Sequence, residues 1–368
     1  MSFVFENMTS KGHEEVVFCS DSNTGLKAII AIHNTTIGPA LGGCRMWSYN
    51  SEAEALQDVL RLSRGMSYKA AIAGLNLGGG KAVIIGDSKK NKNEILFRSF
   101  GRFVQGLAGR YITAEDVGTS VKDMEWVRME TEYVTGLSRA LGGGGDPGPV
   151  TALGTFSGIR ATVKKHLNRD SLSGLKVAVQ GVGHVGYHLT KHLTEAGAEV
   201  LVSDLDKKAL KLVANDFGVK IIEVDQIYDA EVDIYSPCAM GSTLNDQTIP
   251  KLKCSIVAGS ANNQLKDEIT HSQMLKNQDI LYAPDYAINS GGLINCANEI
   301  EGYNRKRAFQ QAEGIYDTLM NIYDRADSDN VTTHEAALKE AKKRINDISK
   351  LKNVYLPKKN LMGKRDSN

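Results

Sequence analysis

The chain has 368 residues, 42% of them hydrophobic, which is too long for one ordinary core and suits two domains of usual size. Its 44 basic and 43 acidic side chains nearly cancel, so it lacks the basic footprint of a nucleic-acid binder or an anionic-membrane binder. No run approaches the roughly 20 apolar residues of a membrane span, leaving small molecules and copies of the chain itself as expected partners.

In chain order, the apolar run 26–33 predicts a strand and residues 52–66 a helix. Ser51 and Glu54 form a capping box at the start of that helix, and Ala55, Leu56, Val59, Leu60 and Ser63 supply one face. The stretch GLNLGGGKAVIIGD (74–87) then runs through Lys81 into a short apolar strand, 82–85. A glycine run ending in lysine suggests a phosphate cradle, but the P-loop pattern needs Gly five residues before the Gly80-Lys81 pair and Ser or Thr after it. Leu75 and Ala82 stand there instead. Residues 111–120 read as a strand entering a polar loop, and the Gly- and Pro-rich stretch LGGGGDPGPVTALG (141–154) is the hinge candidate.

Beyond 154, helices and strands alternate: helix 159–165, strand 176–180, helix 185–195, strand 199–203 and helix 207–217. Apolar runs at 232–235, 255–258 and 280–282 extend the same sheet, giving an α/β chain with a doubly wound parallel second domain. The tail is helical in one long segment from about 298 through 324 and a second near 333–350.

Gly181, Gly183 and Gly186 form G-x-G-x-x-G directly after a strand and at the opening of a helix, with His184 and Val185 inside the turn. This context predicts a dinucleotide site, with pyrophosphate on the helix N-terminus. Asp204 ends the next strand, where a carboxylate accepts hydrogen bonds from an adenosine ribose and repels a 2′-phosphate, so NAD is favoured over NADP. His184, His188 and His192 share a helical spacing, but no cysteine or carboxylate joins them at that spacing, and no metal is expected. Five scattered cysteines without a C-x-x-C pair, and an N-terminus (MSFVFENMTSKGHEE) unlike a secretory signal, predict reduced thiols and a cytoplasmic protein.

GPALGGCRMW, MSYKAAIAGLNLGGGKAVIIGD, TAEDVGTS, GSANNQL and APDYAINSGGLINCANEIEGYN, in that order, resemble the glutamate, leucine, phenylalanine and valine group of amino-acid dehydrogenases, with leucine-type members most similar. The resemblance implies two domains separated by a cleft. Residues 1–146 would form an α/β substrate and oligomerisation domain, 147–333 the Rossmann-type NAD domain, and 334–368 a helix packing back on the first. It implies a homo-oligomer, an octamer in relatives, and NAD-dependent, reversible oxidative deamination of leucine and other branched-chain L-amino acids to 2-oxo acids and ammonia. The same chemistry on phenylalanine or another apolar amino acid is the alternative, and a non-catalytic NAD-binding regulator a remote one.

By position, the resemblance makes Lys69 the holder of the substrate carboxylate, Lys81 the catalytic lysine and Asp116 the residue that handles protons at the amino nitrogen. Thr151 and Asn263 would meet the nicotinamide end, and the segment from Asn289 would close over substrate. Hydride loss from Cα leaves an iminium that water must attack. Burial lowers the pKa of a lysine by up to about 3–5 units, so a neutral Lys81 could take a proton from that water. Glutamate-type members carry lysine just before the glycine pair that includes Gly42. Leu41 stands there, with Leu293 and Cys296 helping line the same apolar pocket. Leucine-type members commonly have valine at the last two positions and Asp at Asn298, so the ranking of leucine, valine and isoleucine stays open.

Overall fold

The computed structural model describes residues 3–239 and 241–351. They divide into two compact units. The described residues of Met1–Asp146, Cys296–Arg305 and Ala341–Asn368 form the first, and those of Pro147–Asn295 and Lys306–Glu340 the second. Of the C-terminal helix expected over 334–368, residues 352–368 lie outside the described residues.

The first unit is built on strands β1 (Glu15–Asp21), β2 (Leu26–Asn34), β3 (Ala40–Trp47), β4 (Gly78–Ile85) and β5 (Tyr111–Glu115). They lie in the order β1-β2-β4-β3-β5, with β3 parallel to both β4 and β5 and the other pairs antiparallel. Besides the N-terminal α1 (Phe3–Lys11), this unit has three helices early in the chain: α2 (Glu52–Ile72), α3 (Glu94–Gly106) and α4 (Val121–Arg128). One sheet face carries Ala40, Cys44, Ala82 and Ile84 into a core with Phe97 and Phe100 of α3. The other packs Ile29, Ala31 and Val83 against Ala55, Leu56, Val59 and Leu60 of α2. Burying a large apolar side chain contributes roughly 1.5–3 kcal/mol, more than the roughly 0.5–1 kcal/mol that each glycine costs within a strand. The glycines that resemble a phosphate cradle therefore become the first half of β4.

Helix α2 starts on the expected cap, with Ser51 Oγ accepting the Glu54 N–H at 3.1 Å. It runs past residue 66, the expected end, to Ile72, and so carries Lys69 on a helix. The reason lies across the sheet. A Cβ at Gly79 would sit 2.0 Å from the Ser67 nitrogen, so only a glycine there lets the last turns of α2 rest on β4. From helix α13 (Thr333–Ser349), Arg344 closes that end, donating to the carbonyls of Ala71 (3.0 Å), Leu75 (2.7 Å) and Gly74 (3.1 Å). The Ala71 carbonyl also accepts the Gly74 N–H at 3.2 Å, so Arg344 adds to the local closure of this helix end and ties the two residues that follow it.

Two histidines pack against α2, His33 buried and His13 half-buried. His33 Nδ1 meets Ser67 Oγ at 2.7 Å and His13 Nε2 meets Ser63 Oγ at 2.9 Å, the two rings edge to face with centroids 4.9 Å apart. Burial is the main cause that brings both pKa values from 6.5 down to about 4, and nearby Arg64 adds to it. Both are thus neutral in the folded protein down to about pH 4, whereas an unfolded chain takes up protons near 6.5. The contribution is complete above pH 6.5 and is lost as the pH falls from there towards 4, on the order of 3 kcal/mol for His33. Thermal melts at pH 7 and 4.5 should show a lower midpoint in acid. His33→Asn should flatten that dependence, and an unchanged slope would remove His33 as its source.

The second unit is a six-stranded, wholly parallel sheet in the order β11-β10-β9-β6-β7-β8. Its strands are β6 (Lys176–Gln180), β7 (Glu199–Ser203), β8 (Lys220–Ile221), β9 (Ile234–Pro237), β10 (Ile256–Val257) and β11 (Leu281–Tyr282). Helices α5 (Gly148–Leu167), α6 (His184–Glu195), α7 (Lys207–Phe217), α8 (Glu268–Asn277) and α9 (Asp285–Ile288) connect and flank them. Half of the hinge candidate is helix, because Pro147 and Pro149 suit the start of α5. The tail expected as one helix from 298 to 324 is three: α10 (Gly291–Ile300), α11 (Arg305–Glu313) and α12 (Ile315–Asp329). Among the described residues no helix is long and apolar enough to cross a membrane.

Candidate active site

Strand register brings the charged residues of the first unit together. Side chains alternate along a strand, so Lys81 lies on the same face of β4 as Val83, the face covered by α2. Leu41 pairs with Gly79 and Arg45 with Val83, which puts Leu41 and Arg45 of β3 on that face too. Asp116 follows the last residue of β5, beside β3.

Lys81 is 4% exposed and its Nζ meets Asp116 Oδ1 at 2.8 Å, an ion pair rather than the isolated lysine considered from the sequence. Arg45 Nε donates to the other oxygen, Asp116 Oδ2, at 2.9 Å. Burial alone would push Asp116 up, but Lys81 and Arg45 outweigh it and hold the carboxyl below its ordinary range. The backbone N–H of Asp116 donates to Thr119 Oγ1 at 2.8 Å, which fixes the turn. A Cβ at Gly43 would lie 2.9 Å from Asp116 Cβ, so the carboxylate needs a glycine beside it.

Lys69 and Cys296 belong to the same neighbourhood. The Cys296 thiol is pushed up to about 12, chiefly by burial, with Glu299 and Glu115 adding to the shift and Lys69 opposing it. Glu299, one turn on in α10, accepts backbone N–H bonds from Gly136 (3.0 Å), Leu137 (3.3 Å) and Gly144 (2.9 Å). This carboxylate ties the end of α10 to loop 136–144, a role unreadable from its place in a helical sequence. Leu41 is 1% exposed, and the Gly42 carbonyl accepts the Tyr111 hydroxyl at 2.6 Å. Leu293, buried, lies in the part of α10 assigned to the second unit.

In the second unit the strand order reverses between β6 and β9, and GVGHVG follows β6 there, where nucleotide crevices form in such sheets. Gly181 has φ 98°, and a Cβ at Gly186 would lie 2.0 Å from the Gly181 carbonyl oxygen. Gly183 is the N-cap of α6 and offers no side-chain cap, and His184 and Val185 form the first turn of that helix, a terminus of the kind that suits an anion. Asp204 Oδ2 accepts the Val182 N–H at 2.7 Å, which places the carboxylate against this turn. The residues fit a dinucleotide. His188 stands edge-on to Tyr187 and His192 stacks on Phe156, so their shared spacing serves packing.

Thr151 is buried, its hydroxyl donating to the Pro147 carbonyl at 2.9 Å, and a Cβ at Gly291 would lie 2.7 Å from Thr151 Cα. Asn289 spends its amide on Ser260 O (3.1 Å), Ala261 O (3.3 Å) and Asn262 Oδ1 (2.8 Å). That arrangement organises the loop leading to Asn263, which is exposed with φ 51°. Asn289, expected against substrate, lies in the second unit, where its amide also holds this loop.

Two parts of the chain match family models: residues 13–133 match the Glu/Leu/Phe/Val dehydrogenase dimerisation domain, and 142–210 with 202–356 the Glutamate/Leucine/Phenylalanine/Valine dehydrogenase model. A leucine dehydrogenase of Thermoactinomyces intermedius is 54% identical over 96% of each chain. A phenylalanine dehydrogenase of the same organism is 46% identical over 97% of this chain and 98% of its own. The crystal structure of L-tryptophan dehydrogenase from Nostoc punctiforme superposes with a TM-score of 0.84 at 48% identity, covering 94% of this chain and 99% of that one.

Proposed function

The chain belongs to the glutamate/leucine/phenylalanine/valine dehydrogenase family, an amino-acid dehydrogenase family using a nicotinamide cofactor, and from that premise we propose that it is an NAD-dependent leucine dehydrogenase. It would deaminate leucine and other branched-chain amino acids reversibly to 2-oxo acids and ammonia. The observation that carries this reading is the Lys81–Asp116 contact on an apolar-lined sheet face that has Leu41 in place of a cation.

A nicotinamide cofactor held by the Gly181–Gly186 turn and Asp204 would supply the acceptor for the hydride leaving Cα. Lys69 fixes the substrate carboxylate as a charged partner, and the resulting iminium carbon is attacked by water. Lys81 first passes its ammonium proton across the contact to Asp116 and then takes the proton from that water, while Asp116 delivers the proton it received to the departing nitrogen. The 2.8 Å contact joins the two groups, so a proton can pass between them without entering bulk water. Within the first unit, Leu41, Gly42 and Cys296 are the proposed surroundings of the side chain. A carboxylate-bearing substrate placed among them would lack a cation, and an unpaired buried charge is costly.

Initial rates of NAD reduction with leucine, valine, isoleucine, phenylalanine and glutamate test the reading. The highest kcat/KM is expected on a branched aliphatic substrate and the lowest on glutamate. A maximum on phenylalanine would select the second reading, which the 46% identical phenylalanine dehydrogenase favours. NAD binding without turnover on any of them would overturn both.

The preference for NAD rests on Asp204. Asp204→Ala should raise the NADP-to-NAD ratio of kcat/KM about tenfold or more, since each 1.4 kcal/mol of lost repulsion is worth that factor. Rates with both cofactors give the ratio directly, and an unaltered value would sink the ribose assignment. A homo-oligomer in the cytoplasm is the proposed working form, supported by the dimerisation-domain match over residues 13–133.

A further inference from the structure

The geometry points to Arg45 and Asp58 as positioning residues that aim the Asp116 carboxylate at its work, through a chain of alternating charge running from Lys81 into helix α2. This rests on the reading of Asp116 as the residue that exchanges a proton with the substrate nitrogen.

Each oxygen of Asp116 has its own cation: Oδ1 has Lys81 at 2.8 Å and Oδ2 has Arg45 Nε at 2.9 Å. Arg45 does not end there. Its Nη1 donates to Asp58 Oδ2 at 2.9 Å, so the planar guanidinium is held from opposite sides by two carboxylates. Asp58 is itself held, accepting Tyr49 Oη on Oδ2 at 2.7 Å and Arg61 Nη2 on Oδ1 at 3.0 Å. The groups facing Asp116 electrostatically from the packed elements are Lys81, Arg45 and the buried Cys44 and Tyr111, with Asp58, Tyr49 and Arg61 behind Arg45.

A carboxylate that handles a proton must present one oxygen lone pair to the nitrogen while keeping the other occupied. Arg45 occupies Oδ2. A single guanidinium contact leaves rotation about its own bond, and Asp58 removes that freedom. Both Arg45 and Asp58 have side chains less than one-fifth exposed, so the chain is screened from solvent far more than a surface ion pair. The contact that links Asp58 to Asp116 runs through Arg45, which bonds both carboxylates.

The test is a double-mutant cycle in the complete enzyme, reading kcat and the leucine KM separately. Asp58→Asn should lower kcat about 10- to 100-fold, the size expected when a reacting group is misplaced by a fraction of an ångström to an ångström, with KM for leucine changed less than about threefold. In an Asp116→Asn background the same substitution should cost almost nothing, because no proton-handling carboxylate is left to aim. Tyr49→Phe removes only the hydroxyl that orients Asp58 and should show a smaller fall with the same dependence on Asp116, which carries the test if Asp58→Asn fails to fold. Equal losses in both backgrounds, or no loss of kcat in Asp58→Asn and Tyr49→Phe, would overturn the positioning role. If Asp116→Asn alone retained full turnover, the proton-handling reading itself would fail instead.

Discussion

Lys81→Ala should lower kcat for leucine deamination by about a thousandfold and leave NADH binding within about twofold, because general acid-base groups contribute roughly 10²- to 10⁴-fold and Lys81 lies in the unit without the dinucleotide turn. The fold should survive the change. Removing one partner of a buried ion pair is costly when it strands the other, but Asp116 keeps Arg45 at 2.9 Å on its second oxygen. The predicted signature is therefore a kinetic loss without a matching fall in unfolding temperature. Steady-state rates, NADH fluorescence titration and a thermal melt on one preparation check all three parts. Turnover within a few-fold of the parent enzyme would exclude Lys81 from the chemistry, and a collapsed melting transition would show that the loss was structural.

The contrast between Lys81 and Arg45 shows what a linear reading can reach. β6, β7 and α7 have the expected limits, because β-branched runs and an Asp206 cap mark their ends locally. Lys81 stood out as one charge between glycines and an apolar strand. Arg45 was present in the GP-x-x-GG-x-R motif, yet its partner Asp116 is 71 residues away, and the contact exists only because β3 lies between β4 and β5. Asp58 carries no signal of its own in the sequence, since periodicity separates the faces of a helix but does not say which carboxylate meets an arginine. The glycines at 78–80 misled for a related reason. Their run suggests a phosphate cradle, whereas the tertiary need is space: for the Asn34 carbonyl at Gly78, for Ser67 of α2 at Gly79 and for the Tyr111 ring at Gly80. The extension of α2 past residue 66 was hidden too, because its last turns are stabilised by Gly79 beneath and Arg344 from the far end of the chain.

The substrate pocket yields the other large effect, in Leu41→Lys. Leu41 is 1% exposed on the sheet face that already carries Lys81 and Arg45. An ammonium group placed there adds like charge to a desolvated surface, and a leucine side chain can do nothing to pair it. A glutamate side chain can. Several kcal/mol of unpaired-charge penalty then acts on one substrate and is relieved by the other, so kcat/KM for leucine should fall roughly 10²- to 10³-fold while that for glutamate rises. The diagnostic quantity is the ratio of the two, which cancels any general loss of active protein, and it should move by about three orders of magnitude or more. Leu41→Met conserves the volume of the side chain and should keep the parent ranking, since such exchanges are tolerated in packed sites. If the lysine variant melts normally and keeps the parent ratio, Leu41 does not line the substrate pocket, and selection against glutamate must come from another side chain.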